Sequence, residues 1–154
     1  MSATNGNRGK RRKIIKIDMG ELITAFESAP YERSCFLDLD TGELELIVEE
    51  IMDEAEIEEV EQKIASDPAR FVRVPQIETG EAYKDLVDFA GAVSNSRLRE
   101  FLLAALRDKG SFRRFKDILS SYPRERERWF SFKDQRMAIR VEEWLKESGV
   151  EYSK

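Results

Sequence analysis

The chain has no histidine and only one cysteine, Cys35, and these two shortages remove more chemistry than any motif in it supplies. Without imidazole there is no Ser-His-Asp or Cys-His catalysis and no histidine zinc ligand. There is also no side chain whose ordinary pKa moves a proton near neutral pH. A lone thiol rules out an intrachain disulfide, and its place in an apolar, alternating stretch marks it as buried rather than reactive. Any catalysis would fall to carboxylates, lysine, arginine, tyrosine or a hard cation such as magnesium, so neither a catalytic residue, nor a metal site, nor a cofactor is assigned. The eight glycines are too scattered to form a phosphate-cradling loop. With no long apolar run and no signal-peptide pattern, the expectation is a cytoplasmic protein with no membrane partner.

What the chain has in quantity is charge. Of its 154 residues 37% are charged and 41% hydrophobic, and 26 basic against 31 acidic side chains leave a formal net charge of −5. Residues 1–13 are small and polar and end in the basic run Arg8 to Lys13, a composition expected to stay disordered as an arm. Residues 14–150 contain no separating linker and are expected to form a single α+β domain, large enough to bury about 70% of its unfolded surface. Twelve acidic residues and no lysine or arginine lie between Ser34 and Gln62, whereas residues 107–146 hold twelve basic against seven acidic.

Local patterns place the elements. Asp18 with Glu21 makes a capping box, stapled by Ile17 and Leu22, so a helix is expected from Met19, with Ser28, Ala29 and Pro30 ending it. Cys35, Leu37 and Leu39 then alternate with polar residues, and Leu44, Leu46 and Val48 do the same across the turn Asp40-Thr41-Gly42. This predicts a β-hairpin over 35–39 and 43–48. Asp53 with Glu56 repeats the capping box ahead of an acidic helix with Ile57, Val60 and Ile64 as its buried stripe, broken at Asp67-Pro68. A short strand is expected over 71–75. Two amphipathic helices should follow, one capped by Thr79 with Tyr83, Leu86, Val87, Ala90 and Val93 on one face. The other, after Ser94-Asn95-Ser96, should bury Leu98, Phe101, Leu102, Ala105 and Leu106.

The stretch from Gly110 to Leu145 concentrates both tryptophans and five other aromatics among paired arginines. Gly110 is expected to end the preceding helix, Ser111 to cap the next, and Pro123 to close it, before a second amphipathic run from Trp129. The aromatics read as core. The basic residues read either as a solvated face or as an anion- or partner-binding surface of Arg113, Arg114, Lys116, Arg136 and Arg140, since guanidinium forks suit phosphate and carboxylate.

GSFRRFKDIL, RWFSFKDQR and EEWLKESGV in this half, with CFLDLDTGELE (Cys35 to Glu45), FVRVP and EAYKDLVDFA ahead of them, resemble in the same order an uncharacterised bacterial family, number 0158 of the UPF series. The resemblance covers about residues 14–150. It implies one domain and a bacterial source, and it supplies no activity and no catalytic residues.

Two look-alikes at the hairpin tip are rejected. Asp40-Thr41-Gly42 matches the aspartic-protease triplet, but a single copy would need a symmetric dimer to pair its carboxylates. Asp38, Asp40 and Glu49 fall at calcium-loop positions one, three and twelve, yet Gly42 and Glu43 stand where a carboxylate or amide and then a glycine are needed. The expectation is therefore a non-enzymatic interaction or regulatory module, meeting another protein through segregated surfaces, with Asp38, Asp40, Glu43 and Glu45 on the acidic side. The alternative is nucleic-acid binding through the arm and the arginine-rich helices, and the third reading is a magnesium-dependent phosphoesterase built on the same four carboxylates. The oligomeric state is not legible at this level.

Overall fold

A computed structural model of the protein describes residues 14–27, 33–107 and 109–154. The basic arm, the helix stop expected at Ser28, Ala29 and Pro30, and Asp108 lie outside the described residues. The fold is α+β, with a helical C-terminal half. By packing the described residues divide into two compact units, those between 14 and 76 together with Ala138–Lys154, and those between 77 and 137.

The first unit holds the strands. β1 (Ile14–Lys16) pairs in parallel with β5 (Glu151–Ser153), Ile15 opposite Tyr152. β2 (Ser34–Asp38) is the centre of an antiparallel sheet between β3 (Leu44–Ile47) and β4 (Phe71–Arg73), in the order β3-β2-β4. The period-two pattern holds on β2, where Cys35 and Leu37 turn into the core; on the outer strand β3 it does not decide burial, for Leu46 is exposed and Ile47 is buried. Burial pushes the Cys35 thiol up to about 11, so it stays protonated at neutral pH.

α1 (Met19–Glu27) starts where Asp18 Oδ1 accepts the Glu21 N–H at 3.0 Å, and it buries Leu22, Ala25 and Phe26. Phe26 meets Trp144 edge-on, ring centroids 5.7 Å apart. α2 (Glu54–Ser66) has both halves of its capping box: Asp53 accepts from the Glu56 N–H at 2.8 Å and Glu56 from the Asp53 N–H at 2.9 Å. Its expected stripe is only half-buried, and no residue of α2 is fully buried. A 3-10 turn, Pro68–Arg70, follows and leads directly into β4.

The second unit is a helical cluster of α3 (Thr79–Ala92), α4 (Ser96–Ala105), α5 (Ser111–Leu119) and the start of α6 (Pro123–Glu147). Leu86, Phe89, Ala90, Val93, Leu98, Leu102, Leu106, Phe115, Leu119 and Trp129 form its core. Phe89, Phe115 and Trp129 meet pairwise in T-shaped contacts with centroids 5.3–6.2 Å apart. Asn95 caps α4 through Leu98 N–H at 3.1 Å.

Several local expectations are corrected. Thr79 is the first helical residue of α3, and the capping position is Glu78, without a side-chain bond. Gly110, at φ +75°, sits at the N-cap of α5, because a left-handed turn can feed a helix as well as end one. Pro123 opens α6 instead of closing a unit, since its missing N–H is costless in a first turn. Tyr83 and Phe101 lie at the surface; the Tyr83 hydroxyl donates to the Leu106 carbonyl at 2.7 Å, which suits a ring with one wet end.

Candidate functional site

The acidic residues named at the hairpin are divided: Asp40 and Glu43 are exposed, Glu45 is half-buried and Asp38 is interior. Asp38 is 2% exposed. Its two oxygens accept from Arg70 Nε at 2.8 Å and Arg70 Nη2 at 2.7 Å, a bidentate pair, and Oδ1 also accepts the Asp40 N–H at 2.9 Å. The Arg70 hydrogen bonds, working against burial, hold the Asp38 carboxyl at about 2. Asp40 leans on the same guanidinium, 3.4 Å from Nε. Glu45 receives the Lys63 ammonium at 2.6 Å, and Glu43 is exposed. Three of the four carboxylates that would serve a phosphoesterase, Asp38, Asp40 and Glu45, are therefore engaged by Arg70 and Lys63, and Asp38 in particular ties β2 to the turn before β4. Among the described residues no group of three or more Asp, Glu or Cys is placed to hold a metal ion.

The proposed basic set is also divided. Arg113, Arg114 and Lys116 are exposed on α5. Arg136 is neutralised by Asp85 at 3.1 Å and Asp88 at 2.9 Å, with its guanidinium 4.8 Å from the Phe132 ring centroid. Asp85, 2% exposed, lies one turn before Phe89 on the buried face of α3. A carboxylate at that spacing is itself a signal for a buried partner, and it was the residue missing from the sequence reading. Arg140 is half-buried on the part of α6 that belongs to the first unit.

What lies open instead is of two kinds. Glu54, Glu56, Glu58, Glu59 and Glu61 of α2 are all exposed, with Glu49, Glu50 and Asp53 just ahead of them. Ile51, 80% exposed, stands among these acids. In the second unit Phe130 is 42% exposed between Arg126 and Lys133, whose charges lie 5.1 and 6.0 Å from its centroid, and Arg97 covers the exposed Phe101 at 5.7 Å. The charge segregation follows the two units: residues 77–137 hold 13 Lys and Arg against 10 Asp and Glu, whereas 14–76 with 138–154 hold 8 against 21.

The concavities are shallow. One of about 740 Å³ borders the hairpin tip and the start of α1, lined by Lys16, Asp18, Glu21, Gly42, Glu43 and Leu44 among others. A second, about 480 Å³, runs beside it between α1 and β3. A third, about 530 Å³, lies along α6 at Arg124, Arg128 and Phe132. No helix of the described residues is long and apolar enough to cross a membrane.

Fold and surfaces together define a small α+β protein whose ionised groups are either paired for structure or displayed on open faces. Residues 12–153 match the uncharacterised protein family UPF0158, and the chain belongs to that family. The UPF0158 protein of Pseudomonas aeruginosa is 24% identical over 135 residues, covering 88% of this chain and 84% of that one. Two chlamydial UPF0158 proteins, from Chlamydia muridarum and Chlamydia trachomatis, are 24% and 23% identical over 132 residues. The matched region spans 85% of this chain but 40% of either chlamydial protein. No solved structure matches.

Proposed function

We propose that the protein is a non-enzymatic interaction module whose acidic ridge, from Glu49 through α2, docks a cationic segment of a partner protein. The observation that carries this reading is α2 itself: a helix with no buried residue and five exposed glutamates, with Ile51 exposed among the acids that precede it. Lys63, the single cation of α2, is held by Glu45 and does not offset the ridge. Like charges held this close together cost stability within the helix, by a few tenths of a kcal/mol per i,i+4 pair such as Glu54 and Glu58. An opposite-signed partner relieves that repulsion, and an exposed apolar side chain flanked by charge, as Ile51 is at the start of the ridge, offers such a partner an apolar contact.

The test is crosslinked capture from a bacterial lysate at low salt, wild type against a Glu54→Lys, Glu58→Lys, Glu61→Lys triple variant. A Lys- or Arg-rich partner retained by the wild type and lost from the variant is the expected result. If every captured protein is retained equally by both, the ridge is a solvated face and the reading fails.

A second reading has its own support in the cation-flanked rings of Phe130 and Phe101, because exposed aromatics beside arginine are the chemistry on which single-stranded bases stack. It predicts salt-sensitive anisotropy changes with single-stranded oligonucleotides that Phe130→Ala weakens. The absence of binding at about 50 mM salt, where phosphate contacts are strong, would remove it.

A further inference from the structure

β3 is an outer strand of its sheet, and its register shows what it leaves unpaired. Glu45 lies opposite Phe36 and Ile47 opposite Ser34, and the Asp38 N–H donates to the Glu43 carbonyl at 2.8 Å. Hydrogen-bonded pairs alternate along an antiparallel ladder, so Glu43, Glu45 and Ile47 turn their backbone groups toward β2. Leu44 and Leu46 turn theirs outward, where they meet no backbone partner outside the ladder among the described residues. Their side chains lie opposite Leu37 and Cys35, both buried, so the apolar face of the sheet runs out to this edge. Leu44 is half-buried there and Leu46 is 37% exposed. Both border the 480 Å³ groove beside α1.

We propose that this edge pairs with β3 of a second copy of the chain, antiparallel, about a two-fold axis at Glu45, joining two three-stranded sheets into one of six strands. The sequence Leu44-Glu45-Leu46 is symmetric about its centre. The two-fold therefore sets Leu44 of one copy against Leu46 of the other in hydrogen-bonded pairs, and gathers four leucines on one face.

The like charges that meet on the axis are Glu45 and its equivalent, and each copy already holds its own with Lys63 at 2.6 Å. The groove carries both signs, Asp18 and Glu21 against Arg33, a lining complementary to itself and not to a ligand of one sign. Its α1 wall presents Gly20 and Thr24, small residues one turn apart that leave room for the approaching strand.

The experiment is sedimentation or light scattering of the full chain with two variants. Leu46→Pro deletes the outward N–H and no bond to β2, which an edge strand tolerates; Leu46→Lys sets a charge against the incoming leucine. The wild type should be a dimer at roughly 100 μM, and both variants should weaken self-association at least about tenfold with unchanged circular dichroism. Should the proline variant misfold, the lysine variant decides. A monomeric wild type, or a dimer that persists in Leu46→Lys, overturns the proposal, as does a monomer whose β3 edge takes up only an extended peptide of another sequence. None of these results depends on α2, so they leave the acidic-ridge reading untouched.

Discussion

Replacing Gly42 with alanine is expected to destabilise the first unit by about 3 kcal/mol, lowering the melting temperature by about 6–12 °C in a chain of this size. Two effects add. Gly42 has φ +82°, where an L side chain costs about 1–2 kcal/mol. A Cβ there would also lie 2.0 Å from the Lys16 carbonyl oxygen and 2.9 Å from its carbon, and both are backbone atoms that cannot swing aside. Gly149→Ala supplies the control: φ is +73°, and nothing lies within 4 Å of the added atom. It should cost only the conformational part, about 1 kcal/mol. Equal losses in the two variants would mean that the approach of the hairpin tip to β1 carries no energetic weight.

Loss of the Arg70 guanidinium, as in Arg70→Met, is expected to invert the acid behaviour of Asp38. In the wild type the Asp38 carboxyl is lowered from 3.8 to about 2. A depressed folded-state pKa contributes stability that is complete above the unfolded value and lost as pH falls through the folded one. The contribution is about 2 kcal/mol at pH 7, and it should disappear between about pH 4 and pH 2. With methionine at position 70, the buried carboxylate keeps its backbone hydrogen bond but loses its counter-charge. Desolvation then raises its pKa above the ordinary carboxylate value. NMR titration of the Asp38 carboxyl reads the change directly, and melting curves should show a large deficit of the variant at pH 7 that narrows towards pH 3. A carboxyl that still titrates near 2 in the variant would show that Arg70 is not what holds it there.

Much of the fold was legible because its signals are local. The alternation through Cys35 and Leu37, the capping box at Asp53 and the Asn95 break each fall on the element they predict. The β1–β5 pair was not: two three-residue strands at opposite ends of the chain have too few residues to show a period. The site was less legible than the fold, for a related reason. Asp38 in a run of acids looks like surface until the β2–β4 register sets it opposite Phe71, beside Arg70. Arg136 likewise looks like part of a cationic face until α3 supplies Asp85 and Asp88. Which ionised groups remain available to a partner is thus decided by pairings between distant segments. Charge counts along the chain locate the acidic stretch but not the members of it that stay free.

The shallow seating of α2 also bears on when its shape exists. A helix anchored by a capping box and a half-buried stripe is expected to open at a lower free energy than the core, so its amides should exchange before those of the core. Whatever binds only the closed form draws that equilibrium shut by mass action, and the ordering it must supply is subtracted from its affinity. The ridge would then be held shut by its own occupant, and its occupancy could be turned down by anything that frays one short helix.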